Sequence, residues 1–268
     1  MKNTIATIVI ALFAAACGQQ SSEQAVDTTK PVLAPADVAI YAAAVANPSR
    51  SEADQARDHS RKPAAVLEFI GIEPGMKVLD LFSGGGYYAE ILGYLVGDGG
   101  RVLAHSNEAY LDFVGDEFNA RHADNRLPNV EVLMAENNEL ALNADDFDAV
   151  MMVLSYHDLY YAAPDRGWRK IDSVKLLAEL YKGMKPGGIL GIVDHYAEAG
   201  APRETGNTLH RIDPGIVISE VQAAGFILDA KSDLLRNMDD DHSKIVFDPE
   251  IRGTTDRFIL RFRKPGSS

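Results

Sequence analysis

Three places in the sequence carry residue types that could do chemistry. The first is Asp80-Leu81-Phe82-Ser83-Gly84-Gly85-Gly86, a carboxylate followed closely by three consecutive glycines. Such glycines accept positive φ and let backbone approach a ligand closely. A helix start just beyond offers free N–H groups. The spacing Gly84-x-Gly86-x-x-Ala89 also satisfies the loose dinucleotide fingerprint. The plainer alternative is a tight structural turn. The second place is Tyr156-His157-Asp158, at the end of an apolar run. An imidazole with an ordinary pKa of about 6.5 suits removal of a proton from an acceptor. Asp158 could orient it or hold an acceptor amine. The alternative is that Tyr156 and His157 pack against a helix. The third is the set Asp158, Asp194 and His195, with His210 nearby, which could hold a divalent cation that orients a hydroxyl. No spacing such as His-Glu-x-x-His supports it, so separate hydrogen-bonding side chains are the favoured reading and no metal is expected.

These residues need elements to position them. Residues 76–82 form a short apolar run between glycine-bearing turns and read as a buried strand. Residues 101–105, 130–134, 147–154, 189–194, 226–230 and 258–262 read as further strands. The fourth is almost free of polar residues, as a strand covered on both faces should be. Helices are expected over 36–46, 63–70, 87–96, 108–122 and 168–184. Another begins at Asp213-Pro214, an N-cap followed by a first-turn proline, and ends at Gly225. Lys185-Pro186-Gly187-Gly188 is expected to stop the helix before the fifth strand. Alternating strands and helices predict an α/β fold, a mostly parallel sheet with helices on both faces. In such a sheet the ligand lies at the carboxyl ends of the strands. Arg57, Asp58, His59 and Arg61 precede the first strand and could lid that edge, although a charged stretch more commonly forms a solvated face.

The segment Val78-Leu79-Asp80-Leu81-Phe82-Ser83-Gly84-Gly85-Gly86 resembles motif I of the class I S-adenosylmethionine-dependent methyltransferases. Leu180 to Leu190, with its Lys-Pro-Gly-Gly, is similar to a second landmark of that superfamily, and Ala223-Ala224-Gly225-Phe226 to a third. Leu154-Ser155-Tyr156-His157-Asp158-Leu159-Tyr160 resembles a group of sequence-defined bacterial methyltransferases, several of them exported. The tail agrees, with His210-Arg211-Ile212-Asp213, Asp241-His242-Ser243-Lys244, Phe247-Asp248-Pro249 and Arg252 to Phe258. The resemblance implies a Rossmann-like, seven-stranded class I methyltransferase fold and S-adenosylmethionine as cofactor. It places Asp80 near the cofactor amino group, and Ser83, Gly84 and Gly86 under the methionine moiety. It assigns the ribose to Asn107 or Glu108, where the superfamily usually has an acidic residue at the end of the second strand. It assigns the adenine amine to Glu136, Asn137 or Asn138, and catalysis to Tyr156, His157 and Asp158. Phe82 departs from the pattern, standing where the first glycine is usual.

Composition limits the partners. The chain has 268 residues, a net charge of −13 and 46% hydrophobic residues, an ordinary globular composition. No clustered Lys and Arg patch invites a phosphate backbone, so no nucleic-acid partner is expected. The single cysteine excludes an intrachain disulfide framework and a multi-cysteine metal site. It is Cys17, which closes an apolar run that follows Lys2. The run is shorter than a bilayer span, and its charge-apolar-small pattern is that of a signal peptide. Leu12 to Gly18 resembles a bacterial lipoprotein signal, although Ala14 stands where a leucine is usual. This divides the chain into a signal peptide over 1–16, a flexible tether over 17–35 and one methyltransferase-like domain over 36–268. Cys17 would carry the lipid, the only expected link to a membrane. Two functions follow. One is methyl transfer to a small-molecule acceptor. The other is a lipid-anchored binding or scaffold protein that keeps the fold without catalysis, suggested by Phe82, the absent ribose carboxylate and separation from the cytoplasmic cofactor pool.

Overall fold

The computed structural model describes residues 35–266. Cys17, the signal segment and nearly all of the tether lie outside the described residues. Seven strands form one sheet: β1 (Lys77–Leu81), β2 (Arg101–Ser106), β3 (Val130–Met134), β4 (Phe147–Val153), β5 (Met184–His195), β6 (Ile227–Ser232) and β7 (Arg257–Arg263). Their order is β3-β2-β1-β4-β5-β7-β6. The first five strands are parallel, and β7 runs antiparallel to both β5 and β6. The expected mostly parallel, seven-stranded sheet is therefore present.

Strand periodicity sorts the core into two layers. Ala149 and Met151 of β4 join Val78, Val102 and Val193 on one face, under α1 (Pro35–Val45), α3 (Pro63–Ile70) and α4 (Tyr87–Val96). Val150 and Met152 join Leu79, Leu190 and Leu260 on the other, under α7 (Ser173–Gly183) and α9 (Pro214–Ala223). Burial on both faces is why β4 carries no alternation in sequence.

Several boundaries differ from expectation for identifiable reasons. The helix expected over 108–122 is two helices, α5 (Glu108–Val114) and α6 (Asp116–His122), broken at Gly115, where φ is 60° and ψ −140°. The helix expected from 168 starts only at Ser173, because the Asp172 carboxylate caps it by accepting from the Lys175 amide at 3.0 Å. Trp168 instead pairs with Ala163. Lys185-Pro186-Gly187-Gly188 bulges within β5: Phe147 pairs with Met184, and Ala149 then pairs with Ile189. The charged stretch before β1 is a helix, α2 (Glu52–Arg61), begun by the Ser51 hydroxyl at the Asp54 amide. Arg50 and Asp54 are buried, Arg57, Asp58 and Arg61 half-buried and His59 exposed, so the stretch is a solvated face only in part. Among the described residues no helix is long and apolar enough to cross a membrane.

Candidate functional site

A cavity of about 1040 Å³ opens at the carboxyl edge of β1, β4 and β5. One end is lined by Ser83, Gly84 and Gly85, the other by His157, Asp158 and His210. Among the described residues, the two apolar side chains with positive φ both line it: Phe82 at 55° and Leu154 at 57°. His210 has φ 54°. Such backbone is costly, on the order of 1–3 kcal/mol per residue, and clusters where a site demands it.

The glycine end is built on a buried carboxylate. Asp80 accepts from the Ser83 hydroxyl at 2.8 Å, and Ser83 lines the cavity above it. Burial outweighs the help of Ser83 and the Ala89 amide and raises the Asp80 pKa to about 7. Left-handed backbone at Gly84 (φ 58°) and Gly86 (φ 81°) turns the chain into α4. A Cβ on Gly86 would sit 2.6 Å from Arg121 Cδ, so the turn is packed under α6. His105 ties this end together. Its Nδ1 accepts from the Phe82 amide at 3.3 Å and its Nε2 donates to the Ala135 carbonyl at 3.0 Å. Burial holds its pKa down at about 4, so it is a neutral strut between strand ends.

Arg121 anchors the same turn from α6. It contacts the carboxylates of Asp54 and Glu90 and donates to the Gly85 carbonyl. Arg57 reaches Asp54 and Glu117, and Arg126 reaches Glu90. Arg61 and Arg257 line the cavity, and neither has a carboxylate within salt-bridge distance among the described residues. Burial lowers the pKa of both guanidiniums. Two cations without carboxylate partners, in an acidic chain, mark this wall as a place for an anionic group. The charged stretch before β1 thus contributes a wall of the site through Arg57 and Arg61.

The other end follows β4. His157 Nδ1 lies 2.8 Å from Asp194 Oδ1, and its backbone N–H donates to Asp194 Oδ2 at 2.8 Å. Its Nε2 lies 3.3 Å from Asp158 Oδ1, and His210 Nδ1 lies 3.6 Å from the same oxygen. The Tyr110 hydroxyl donates to the other Asp158 oxygen. Burial opposes charge on His157, but the carboxylates of Asp194 and Asp158 prevail and raise its pKa to about 9. His157 is therefore protonated at neutral pH in this arrangement and is not a free base. Burial opposes the Asp158 anion, but His157, His210 and Tyr110 hold its pKa below the usual range. Gly206 must be glycine here, since a Cβ would lie 2.5 Å from the His157 carbonyl oxygen.

The tail closes the cavity. Arg211 is fully buried and makes a two-pronged pair with Asp240, both bonds at 2.9 Å, while its Nε donates to the Lys244 carbonyl. This clamp fixes His210 and brings Phe247 against it, with ring centroids 4.9 Å apart. Phe113, Trp168 and Phe247 form an aromatic mouth.

The structure brings some of the expected site residues together and leaves others aside. Ser83, Gly84, His157 and Asp158 line the cavity, with Asp80 beneath. Tyr156 does not reach it: the ring is fully buried and its hydroxyl donates to Glu220 of α9 at 2.8 Å. Gly86 shapes the turn without lining the cavity. Asn107 caps α5 by accepting from the Tyr110 amide at 2.9 Å. Glu108 is exposed on the first turn of α5. Glu136 is half-buried, with Arg169 at 3.9 Å. Asn137 is buried with its Oδ1 unpaired. Of the metal set read from sequence, only Asp158 and His210 converge. Asp194 turns to His157, and His195 Nδ1 contacts Thr255 Oγ1 at 2.7 Å. Sequence reading named Arg61 only as part of a candidate lid, and it missed Arg121, Tyr110 and the clamping role of Arg211.

The sheet order, with its single antiparallel β7 inserted between β5 and β6, defines a class I methyltransferase fold. A sequence model of the protein-L-isoaspartate(D-aspartate) O-methyltransferase family matches residues 35–152. Solved structures agree on the fold. An S-adenosylmethionine-dependent methyltransferase from Aquifex aeolicus is 23% identical over 78% of this chain and 98% of its own, with a TM-score of 0.53. One from Mesorhizobium loti is 16% identical over 77% and 99%, with a TM-score of 0.52. No curated protein sequence matches the chain.

Proposed function

We propose that the protein is an S-adenosylmethionine-dependent methyltransferase acting on a small molecule. The carrying observation is one cavity that joins the motif I glycine turn to a His-Asp cluster across the carboxyl edge of the sheet. The residues present fit the cofactor. Ser83 and Gly84 offer a close backbone cradle, and Arg61 and Arg257 offer cations for its carboxylate. Ser155 lines the cavity, and its buried Oγ has no hydrogen-bond partner among the described residues, where buried polar atoms of this kind normally have one. The departure is at the ribose, where neither Asn107 nor Glu108 lines the cavity.

When bound, the cofactor supplies a methyl group on a sulfonium, ready for in-line displacement. The chain has then mainly to position the acceptor and take its proton. Asp158 is the anionic group facing the cavity, held by Tyr110 and His210. His157, fixed by Asp194, holds that carboxylate from the side. The aromatic mouth suits an apolar or flat acceptor. The family whose model matches residues 35–152 is named for methylation at oxygen, which agrees with an oxygen acceptor.

Calorimetry of the full chain with S-adenosylmethionine tests the reading. Saturable binding that weakens about tenfold or more in Arg61→Ala is expected. No binding at millimolar cofactor would instead leave a fold kept without catalysis, as in the scaffold alternative.

We further propose export and lipid attachment at Cys17, on the pattern of residues 1–18. Palmitate labelling of the expressed protein is expected to vanish in Cys17→Ala. Labelling that persists in this variant refutes the anchor.

A further inference from the structure

The His157-Asp158-His210 cluster has the spacing of a metal centre. One donor atom from each of the three residues lies within 4.8 Å of the other two. Asp158 Oδ1 lies 3.3 Å from His157 Nε2 and 3.6 Å from His210 Nδ1. Ligand bonds of about 2.0–2.2 Å in a tetrahedral arrangement place donor atoms about 3.3–3.6 Å apart. The two spacings from Asp158 Oδ1 to the imidazoles match this range, and the 4.8 Å bound on the set leaves the two rings to close on a cation.

The remaining atom of two of these groups is already held, as metal ligands usually require. His157 Nδ1 faces Asp194 at 2.8 Å, which leaves Nε2, beside Asp158, as the ligand atom; a bound cation takes the place of the Nε2 proton and releases it to solvent. Asp158 Oδ2 accepts from Tyr110. His210 is held differently, with its ring between Tyr161 and Phe247, each centroid 4.9 Å away. The strained backbone at His210 and the buried Arg211–Asp240 clamp beside it keep that ring in place. His195, although only 5.8 Å from His157 by ring centroid, is turned to Thr255 and is not part of the set.

We propose that His157, Asp158 and His210 bind one divalent transition-metal ion, with its open positions toward the cavity. Two imidazole nitrogens and one carboxylate favour zinc, iron or manganese over magnesium or calcium, which prefer oxygen alone. An ion there would orient an oxygen acceptor and lower the pKa of its hydroxyl. Metal binding does not depend on the cofactor reading: a chain that binds no S-adenosylmethionine would still bind the ion.

The test uses the full chain stripped with chelator and titrated with cobalt(II), whose visible d–d absorption reports nitrogen-oxygen coordination. One cobalt per chain is expected, displaced by one zinc. Affinity should fall at least 100-fold in His210→Asn, which tolerates the left-handed backbone, and in the near-isosteric Asp158→Asn. It should fall about 10- to 100-fold in Asp194→Asn, which touches no metal. His195→Ala should bind as the unaltered chain does. Circular dichroism of each metal-free variant checks folding. Absence of a cobalt band at millimolar metal would overturn the proposal. So would unchanged affinity in both folded His210→Asn and folded Asp158→Asn, or equal loss in His195→Ala.

Discussion

Asp80→Asn is expected to weaken S-adenosylmethionine binding by about 10- to 100-fold while making the folded chain more stable at neutral pH. The first effect, read at pH 8 where the carboxyl is ionised, follows from lost charge-assisted hydrogen bonding, worth about 1.5–3 kcal/mol. Asp80 acts from beneath Ser83, whose hydroxyl it orients at 2.8 Å. The second effect follows from burial. The folded pKa is raised from 3.8 to about 7. Below pH 3.8 the carboxyl is protonated in both states. Between there and pH 7 the unfolded chain ionises while the folded chain keeps its proton. The folded state then binds more protons, so stability from this group falls as pH rises through that window and levels off above it. Three pK units correspond to about 4 kcal/mol at most. Asparagine removes this slope, and its extra buried donor reduces the net gain to about 1–3 kcal/mol at pH 8. Urea unfolding at pH 5 and pH 8 reads the stability arm, and calorimetry reads the binding arm. A variant that binds the cofactor normally would detach Asp80 from the site. One with an unchanged pH slope would show that Asp80 is ionised in the fold.

Arg121→Ala carries the largest expected loss of stability. Its guanidinium serves Asp54 and Glu90, whose side chains are 1% and 0% exposed. Removing one partner of a buried ion pair costs about 3–5 kcal/mol, because the other charge is left in a poor environment. Arg57 and Arg126 still reach the same carboxylates, so the lower part of that range is expected. For a domain of this size that is a fall of roughly 10 °C in unfolding midpoint. The turn at Gly85 also loses the donor to its carbonyl, so cofactor affinity should fall with stability. Thermal unfolding monitored by circular dichroism reads the first effect. A drop under about 2 °C would mean that Arg57 and Arg126 carry the network alone.

The sheet was legible because strand and helix periodicities are local. Val78 to Leu81 and Ala149 to Met152 announce buried strands by composition alone, and Gly225 and Asp213-Pro214 announce helix ends. Gly115 was readable as a break but lies in an otherwise helical stretch, so the 108–122 helix was expected whole. The site was legible where it follows a strand, at Asp80 to Gly85 and at His157-Asp158. Tyr156 shows the limit: β4 ends at Val153, so Tyr156 and His157 lie in the turn beyond it, where strand alternation no longer says which one faces the cavity, and the hydrogen bond to Glu220 of α9 takes Tyr156 away from it. His210 reaches Asp158 through a clamp between Arg211 and Asp240, residues far apart in sequence. Arg121 meets Asp54 and Glu90 across three helices. Pairings of this kind depend on the finished fold, and no spacing in the chain encodes them.

The central claim is that the glycine end of the cavity receives S-adenosylmethionine and the His157 end receives the acceptor. A crystal structure of the full chain grown with S-adenosylhomocysteine tests it most directly. The account predicts the amino-acid end of the ligand against Ser83, Gly84 and Arg61, with its sulfur directed toward Asp158. Density for the ligand elsewhere, or a cavity containing only solvent at saturating ligand, would contradict it.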